Sequence, residues 1–306
     1  MMRSEMCAAT LPESRSVEEK QAAGSGAAAG RAVLVDTHSH IYEAEFDADR
    51  REAFGRAAAA GVGMMLLPAL DAASDGRLFA TCREYAETVR PMMGLHPTSV
   101  NNNPRWREEL ERVERYLASP PEGVEGFCGV GEIGLDFYWS DAFRKQQCEA
   151  FAAQVELALK YNLPIAVHTR GAWERMCDIM RSFAGRGVRG VFHAFTEGAE
   201  CCARLRGAGD FLFGIGGMTT FRNNPMAATV RELDIGDMVL ETDSPYLAPV
   251  PYRGRRNEPA YVRIVCGRVA EIKGMETDEV AARTTANAVR MFGLAPACEK
   301  NGSQAG

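Results

Sequence analysis

From Arg31 onward, short apolar runs rich in β-branched and aromatic residues alternate with longer stretches whose apolar positions recur every three or four residues. The first kind reads as buried strand and the second as amphipathic helix packed on a sheet. Eight strand-like runs begin near Ala32, Gly63, Arg90, Gly126, Pro164, Gly187, Asp210 and Asp237. Between Asp141 and Asn162, by contrast, Phe143, Gln147, Phe151, Val155 and Ala158 share one helical face. Such alternation demands a parallel sheet with crossover helices, and eight units can close on themselves, so the expected fold is an α/β (β/α)8 TIM barrel. An open doubly wound sheet is the competing arrangement. Against it, no GxGxxG loop joins the first strand to the first helix, and Gly214-Ile-Gly-Gly217 after a late strand is a poor match. Two further helices, Glu258 to Ile272 and Asp278 to Met291, are expected on the outside of the barrel.

The polar residues at the ends of these runs carry the candidate chemistry. Four of the five histidines, His38, His40, His168 and His193, lie at or beside the end of an apolar run, and Glu132 and Asp243 close two more. Residues that emerge where barrel strands end share one functional face. In His38-Ser39-His40 the side chains two apart on an extended segment point the same way, so both imidazoles can reach one ion. Glu132 sits among glycines that let backbone approach closely, and a buried carboxylate there requires a cationic partner. Asp136 serves either the site or the fixing of its loop. Asp243 is placed both to ligate a metal and to take a proton from water, with Glu241 two residues earlier able to share its direction. His96 contacts an anionic substrate oxygen, orients another ligand or serves a purely structural role beside Pro97. Arg170, and Arg255 and Arg256 within Arg253-Gly-Arg-Arg-Asn257, suit phosphate through paired guanidinium bonds. Tyr138, Trp139, Phe221 and Tyr246 follow strand ends and serve either base stacking or rim packing.

Bulk composition narrows the partners. No apolar run approaches the roughly 18 residues of a membrane span. A formal net charge of −6 disfavours a protein that coats duplex DNA, but not one that binds a single strand through metal ions and a few arginines. The 9 cysteines include no CxxC pair, which points to a reducing, cytoplasmic setting, and Cys201-Cys202 reads as helix packing plus a surface thiol. Residues 1–30, rich in Ala, Gly and Ser, are expected to be a disordered N-terminal extension. Their acidic residues Glu5, Glu13, Glu18 and Glu19 argue against a transit peptide. Residues 31–294 form the expected barrel domain and 295–306 a flexible C-terminal tail.

Taken in order, Asp36-Thr-His-Ser-His40, Met93-Gly-Leu-His-Pro97, Gly131-Glu-Ile-Gly-Leu-Asp136, Pro164-Ile-Ala-Val-His-Thr-Arg170, Gly190-Val-Phe-His-Ala-Phe-Thr196, Glu241-Thr-Asp-Ser-Pro-Tyr246 and Arg253-Gly-Arg-Arg-Asn-Glu-Pro259 resemble the TatD family of metal-dependent hydrolases. The resemblance spans about Ala32 to Gly293. It implies a metal-bearing (β/α)8 barrel related to amidohydrolases and an activity on DNA, often from the 3′ end of single strands. By position it implies that His38, His40 and Asp243 hold one ion, His168 and His193 a second, and Glu132 bridges them, the same six residues that the strand ends single out. A glutamate in place of a modified lysine as bridge points to the phosphoesterase branch. Ala194 departs from the family, where Cys or Ser often follows the histidine. The expected cofactors are two divalent metal ions, with mixed nitrogen and oxygen donors suiting Zn²⁺, Mn²⁺ or Fe²⁺ better than Mg²⁺ alone. Asp243 is the expected base and Glu132 the bridge, while His96, Arg170, Arg255 and Arg256 position phosphate. The expected function is 3′–5′ exodeoxyribonuclease action on single-stranded DNA by a monomer without membrane attachment. The alternatives are an ester hydrolase, such as a D-aminoacyl-tRNA deacylase, and a metal-stabilised binding protein without turnover.

Overall fold

Strands form at all eight apolar runs: β1 Leu34–Asp36, β2 Val62–Pro68, β3 Val89–Met93, β4 Gly129–Asp136, β5 Ile165–Arg170, β6 Arg189–Phe192, β7 Asp210–Ile215 and β8 Met238–Leu240. The computed structural model describes residues 33–222 and 224–294, so the expected N-terminal extension and C-terminal tail lie outside the described residues. The strands run in sequence order in one sheet, each parallel to the next. Beyond the paired strands, Thr37 N–H donates to the Leu240 carbonyl at 3.0 Å and Ser39 bridges Ser244 in parallel, which brings β1 and β8 together. The sheet is thus a (β/α)8 TIM barrel, joined at its seam by the same segments that carry the HxH motif and Asp243.

Helices α1 Arg50–Ala59, α2 Asp75–Glu84, α3 Pro97–Val100, α4 Trp106–Ala118 and α5 Arg144–Lys160 accompany the first half of the barrel. Helices α6 Trp173–Ser182, α7 Ala199–Arg206, α8 Met226–Glu232, α9 Val262–Lys273 and α10 Thr277–Phe292 complete it. In α5 the face predicted from periodicity is the buried one, with Gln147, Phe151, Val155 and Ala158 inside. Both α9 and α10 stop at a glycine in the left-handed region, Gly274 and Gly293, where a residue with a Cβ would be disfavoured.

The apolar core has two layers. One lies between the sheet and its helices. The other includes Val35, Leu66, Met92, Val191 and Val239, and is continued by Ala288, Met291 and Phe292 of α10. Asn287 Nδ2 donates to the carbonyls of Ile235 and Met238 at 2.8 Å, and Thr285 Oγ1 donates to that of Val33. These contacts gather at the N-terminal ends of β8 and β1. Helix α10 therefore plugs the barrel floor, which corrects the expectation that it lies on the outside, and leaves the opposite rim for chemistry.

Close approach of β4 to β5 sets His168. Gly134 has φ +145°, and a Cβ there would collide with the His168 carbonyl oxygen. Gly134→Ala should lower stability by at least about 2 kcal/mol, because backbone strain and a main-chain clash add. Urea unfolding checks this: a midpoint within error of the parent would contradict it.

Candidate metal centre

Five segments deliver the six predicted side chains to one point above the barrel core. His38 and His40 lie just past β1, where Ser39 N–H donates to the Leu66 carbonyl and His40 N–H to that of Ser244, so the segment stays extended and the two rings face the same way. Glu132 lies inside β4, not at its end, at a register shift between Val130 and Ile133 that re-aims its side chain. His168 likewise lies within β5, while His193 follows β6 directly. Asp243 follows β8 in the left-handed region at φ 55°, a conformation aspartate tolerates better than most residues, and its N–H is tied to the His38 carbonyl at 2.9 Å.

The donor atoms fit two cations sharing one carboxylate. His38 Nε2 lies 3.2 Å from His40 Nε2 and 3.1 Å from Glu132 Oε2. His40 Nε2 is 3.4 Å from Glu132 Oε2 and 3.6 Å from Asp243 Oδ1. Ligands about 2.0–2.1 Å from a tetrahedral ion stand roughly 3.3–3.4 Å apart, so His38, His40 and Glu132 stand at that spacing, with Asp243 a little farther at 3.9 Å from His38 Nε2. The other carboxylate oxygen, Glu132 Oε1, is 3.0 Å from His168 Nδ1 and 2.8 Å from His193 Nε2. His168 Nδ1 and His193 Nε2 are 3.2 Å apart. Nitrogen and oxygen donors at this spacing suit transition metals.

Neighbouring groups decide which ring nitrogen is free to ligate. Tyr42 Oη donates its one proton to the Pro68 carbonyl at 2.6 Å, so at 3.1 Å it accepts from His40 Nδ1–H and leaves Nε2 as the nitrogen turned to the centre. The Asp136 carboxylate accepts from His168 Nε2 at 3.0 Å, which frees Nδ1. His96 is the opposite case: its Nδ1 accepts from the Thr98 N–H at 3.2 Å, so the proton sits on Nε2, 3.3 Å from Glu132 Oε1. His96 thus donates to the shared carboxylate instead of competing for an ion.

The electrostatics match this assignment. Burial opposes charge on Glu132, but His193, His96 and His38 hold its carboxyl well below the usual range. Burial also opposes charge on His40, yet Asp243 and Glu132 lift it to about 10. Burial and the neighbouring His193 lower its partner His38 to about 4. The carboxylates therefore demand positive charge at the point where the Nε2 atoms converge.

Several supporting residues carry no metal-facing donor and were not singled out by sequence reasoning. Fully buried Asp36 accepts from Thr242 N–H at 2.9 Å and Thr242 Oγ1 at 2.6 Å, tying the HxH segment to the Asp243 segment. Burial lifts its carboxyl to about 7. Asn257 Nδ2 donates to the carbonyls of Thr242 at 2.7 Å and Tyr246 at 2.6 Å. Both residues stand in the quoted motifs, the only signal that marked them. Glu241 does not share Asp243's direction; it lies beneath His193, 3.8 Å from Nδ1, and its carboxylate accepts from the Ala194 N–H.

Above the centre opens a cavity of about 1170 Å³ whose lining includes His96, Trp139, Arg170, Phe221, Arg253 and Arg255. Arg256 is not part of that lining. Its guanidinium turns away to Asp49 at 2.6 and 2.7 Å and to the Glu45 carbonyl, correcting its expected role in phosphate capture: a carboxylate supplied by the turn before α1 occupies it.

Comparison with known proteins agrees with this geometry. Residues 35–293 match the family model of the TatD related DNases. The chain is 34% identical over 268 residues to YabD, an uncharacterized metal-dependent hydrolase of Bacillus subtilis, covering 85% of this chain and 99% of that protein. It is 30% identical over 266 residues to the 3′-5′ ssDNA/RNA exonuclease TatD of Erwinia tasmaniensis, covering 85% of this chain and 100% of the relative. Among solved structures, the TatD homolog YjjV of Escherichia coli superposes with a TM-score of 0.78 at 27% identity, covering 86% of this chain and 98% of its own.

Asp136 meets two donors at once, the Tyr138 N–H at 3.0 Å and His168 Nε2. An asparagine has only one oxygen, so Asp136→Asn must leave one donor unmet. Affinity for divalent metal, read by competition with a chromophoric chelator, should fall about 10- to 100-fold. Unchanged affinity would show that Asp136 does not orient a ligand.

Proposed function

The chain belongs to the TatD related DNase family, whose relatives include metal-dependent hydrolases, and from that premise we propose that it hydrolyses phosphodiester bonds of single-stranded DNA from the 3′ end. The observation that carries this reading is the pair of Glu132 oxygens, each facing a separate group of donors at the floor of an open cavity. The Erwinia relative named as a 3′-5′ ssDNA/RNA exonuclease supports the substrate class and polarity. His38, His40 and Asp243 would hold one divalent ion, His168 and His193 the other, and Glu132 both. Zn²⁺, Mn²⁺ and Fe²⁺ suit this donor set better than Mg²⁺ alone. Ions bound there would supply positive charge to the phosphodiester oxygens and make water more acidic.

This chain's own residues do the rest. Asp243 lies on the cavity wall, and although burial opposes its charge, His40 holds its carboxyl below the usual range, so it is ionised at neutral pH. It accepts the proton of the water that attacks phosphorus, while the O3′ of the penultimate nucleotide leaves and takes up a proton. His96 holds the shared carboxylate in place. Arg170 and Arg255 line the cavity and make no salt bridge with any of the described residues, so their guanidiniums are available to phosphate.

Short single-stranded DNA labelled separately at each end tests the proposal. Metal-loaded protein should shorten the strand from its 3′ end, lose this activity to chelator, and lose about 10²- to 10⁴-fold in kcat on Asp243→Asn substitution. Protein shown to carry metal that leaves DNA intact with every divalent ion, yet cleaves carboxylic esters, would overturn it.

A further inference from the structure

The aromatic run Phe137-Tyr138-Trp139 after β4 joins two recesses. Trp139 lines the catalytic cavity, whereas Phe137 lines a second, shallower groove of about 510 Å³ together with Arg144, Lys145, Cys148, Glu149 and Arg175. Arg144 and Lys145 begin α5 and Arg175 lies in the first turn of α6. Both helices start from the catalytic rim of the barrel.

Folding does not account for the surface between the recesses. Tyr138 and Trp139 are 61% and 66% exposed, the most exposed large apolar side chains among the described residues. They meet edge to face at 4.9 Å, and the Arg170 guanidinium sits 3.8 Å above the Tyr138 ring and 5.3 Å from the Trp139 ring. An exposed aromatic pair braced by an arginine is a platform on which an unpaired base can stack. Arg175 meets no carboxylate among the described residues; its Nε donates to Cys148 Sγ at 3.5 Å, which leaves the outer nitrogens of the guanidinium available. Arg144 stands 4.8 Å from the Phe137 ring and pairs with Asp141. The one acid of the groove, Glu149, is shared between Arg107 at 2.9 Å and Lys145 at 3.9 Å. With Asp141 occupying Arg144, Lys145 and Arg175 remain as the groove's cations against the one acid Glu149, on a chain whose net charge is −6.

We propose that a single polynucleotide strand leaves the catalytic cavity across the Tyr138–Trp139 platform and continues in the groove between α5 and α6, where its phosphates meet Lys145 and Arg175. The inference rests on the nuclease reading and adds to it a site beyond the cavity. It makes affinity depend on strand length and on unpaired bases: a nucleotide or two fills the cavity, and only longer strands reach the groove. A duplex cannot present a base to the platform without first unpairing.

The test uses metal-loaded full-length protein and three forms: the parent, Trp139→Ala, and the double variant Lys145→Glu with Arg175→Glu. All three substituted residues have substantially exposed side chains or lie on an open groove. Binding of thymidine oligonucleotides of graded length, made resistant to cleavage by 3′ phosphorothioates, is followed by fluorescence anisotropy, and turnover of bis(p-nitrophenyl) phosphate is measured in parallel. Longer strands should bind the double variant about tenfold or more weakly, and Trp139→Ala by a similar factor, with dinucleotide binding and small-diester turnover by the double variant within about twofold of the parent. Unchanged affinity for long strands, or equal losses for dinucleotide and long strand in the double variant, would overturn the path. If the parent cleaves DNA while the variants bind it unchanged, the path falls and the nuclease reading stands. If the parent neither binds nor cleaves single strands, the nuclease reading falls and the path with it.

Discussion

A buried carboxylate is the constraint around which the rest of this molecule is arranged. Glu132 is 2% exposed and lies within a strand, where an unpaired charge would be costly to desolvate. The fold answers by surrounding it with histidines from four other segments, whose donor atoms converge on its two oxygens. His38 Nε2, His40 Nε2 and a carboxylate oxygen lie within 3.1–3.4 Å of one another, the spacing that donors around one ion adopt. On the proposed reading, cation binding and fold are therefore linked through one side chain.

Around that centre, hydrogen bonds decide which ring nitrogens face inward. Tyr42 selects the tautomer of His40, Asp136 that of His168, and the Thr98 backbone that of His96. Asp36 holds the Asp243 segment against the HxH segment and Asn257 fixes the shape of the Asp243 segment, so the barrel seam between β1 and β8 is also the scaffold of one half of the site. Preorganisation of this kind keeps ligands in place without movement when a charged substrate arrives.

The barrel was legible because its signals are local: a parallel strand buried on both faces must be apolar, and its crossover helix must be amphipathic. The convergence of His38, His40, Glu132, His168, His193 and Asp243 was readable for a related reason, since strand ends share a rim. What stayed hidden depends on partners far away in the chain. Asp36 acquires its role only from Thr242, and Arg256 only from Asp49. Arginines in one loop look alike in sequence, yet Arg255 lines the cavity while its neighbour braces the turn before α1. Helix α10 looked like any other amphipathic helix, and only its contacts with the bottom of β8 and β1 reveal a plug.

The central claim is that one carboxylate joins two ions. Electron paramagnetic resonance of the chain reconstituted with Mn²⁺, combined with metal analysis, addresses it directly. The account predicts two Mn²⁺ per chain and the spectrum of an exchange-coupled pair, replaced by uncoupled Mn²⁺ when Glu132 becomes alanine. One ion per chain at saturation, or two that show no coupling in the parent protein, would contradict it.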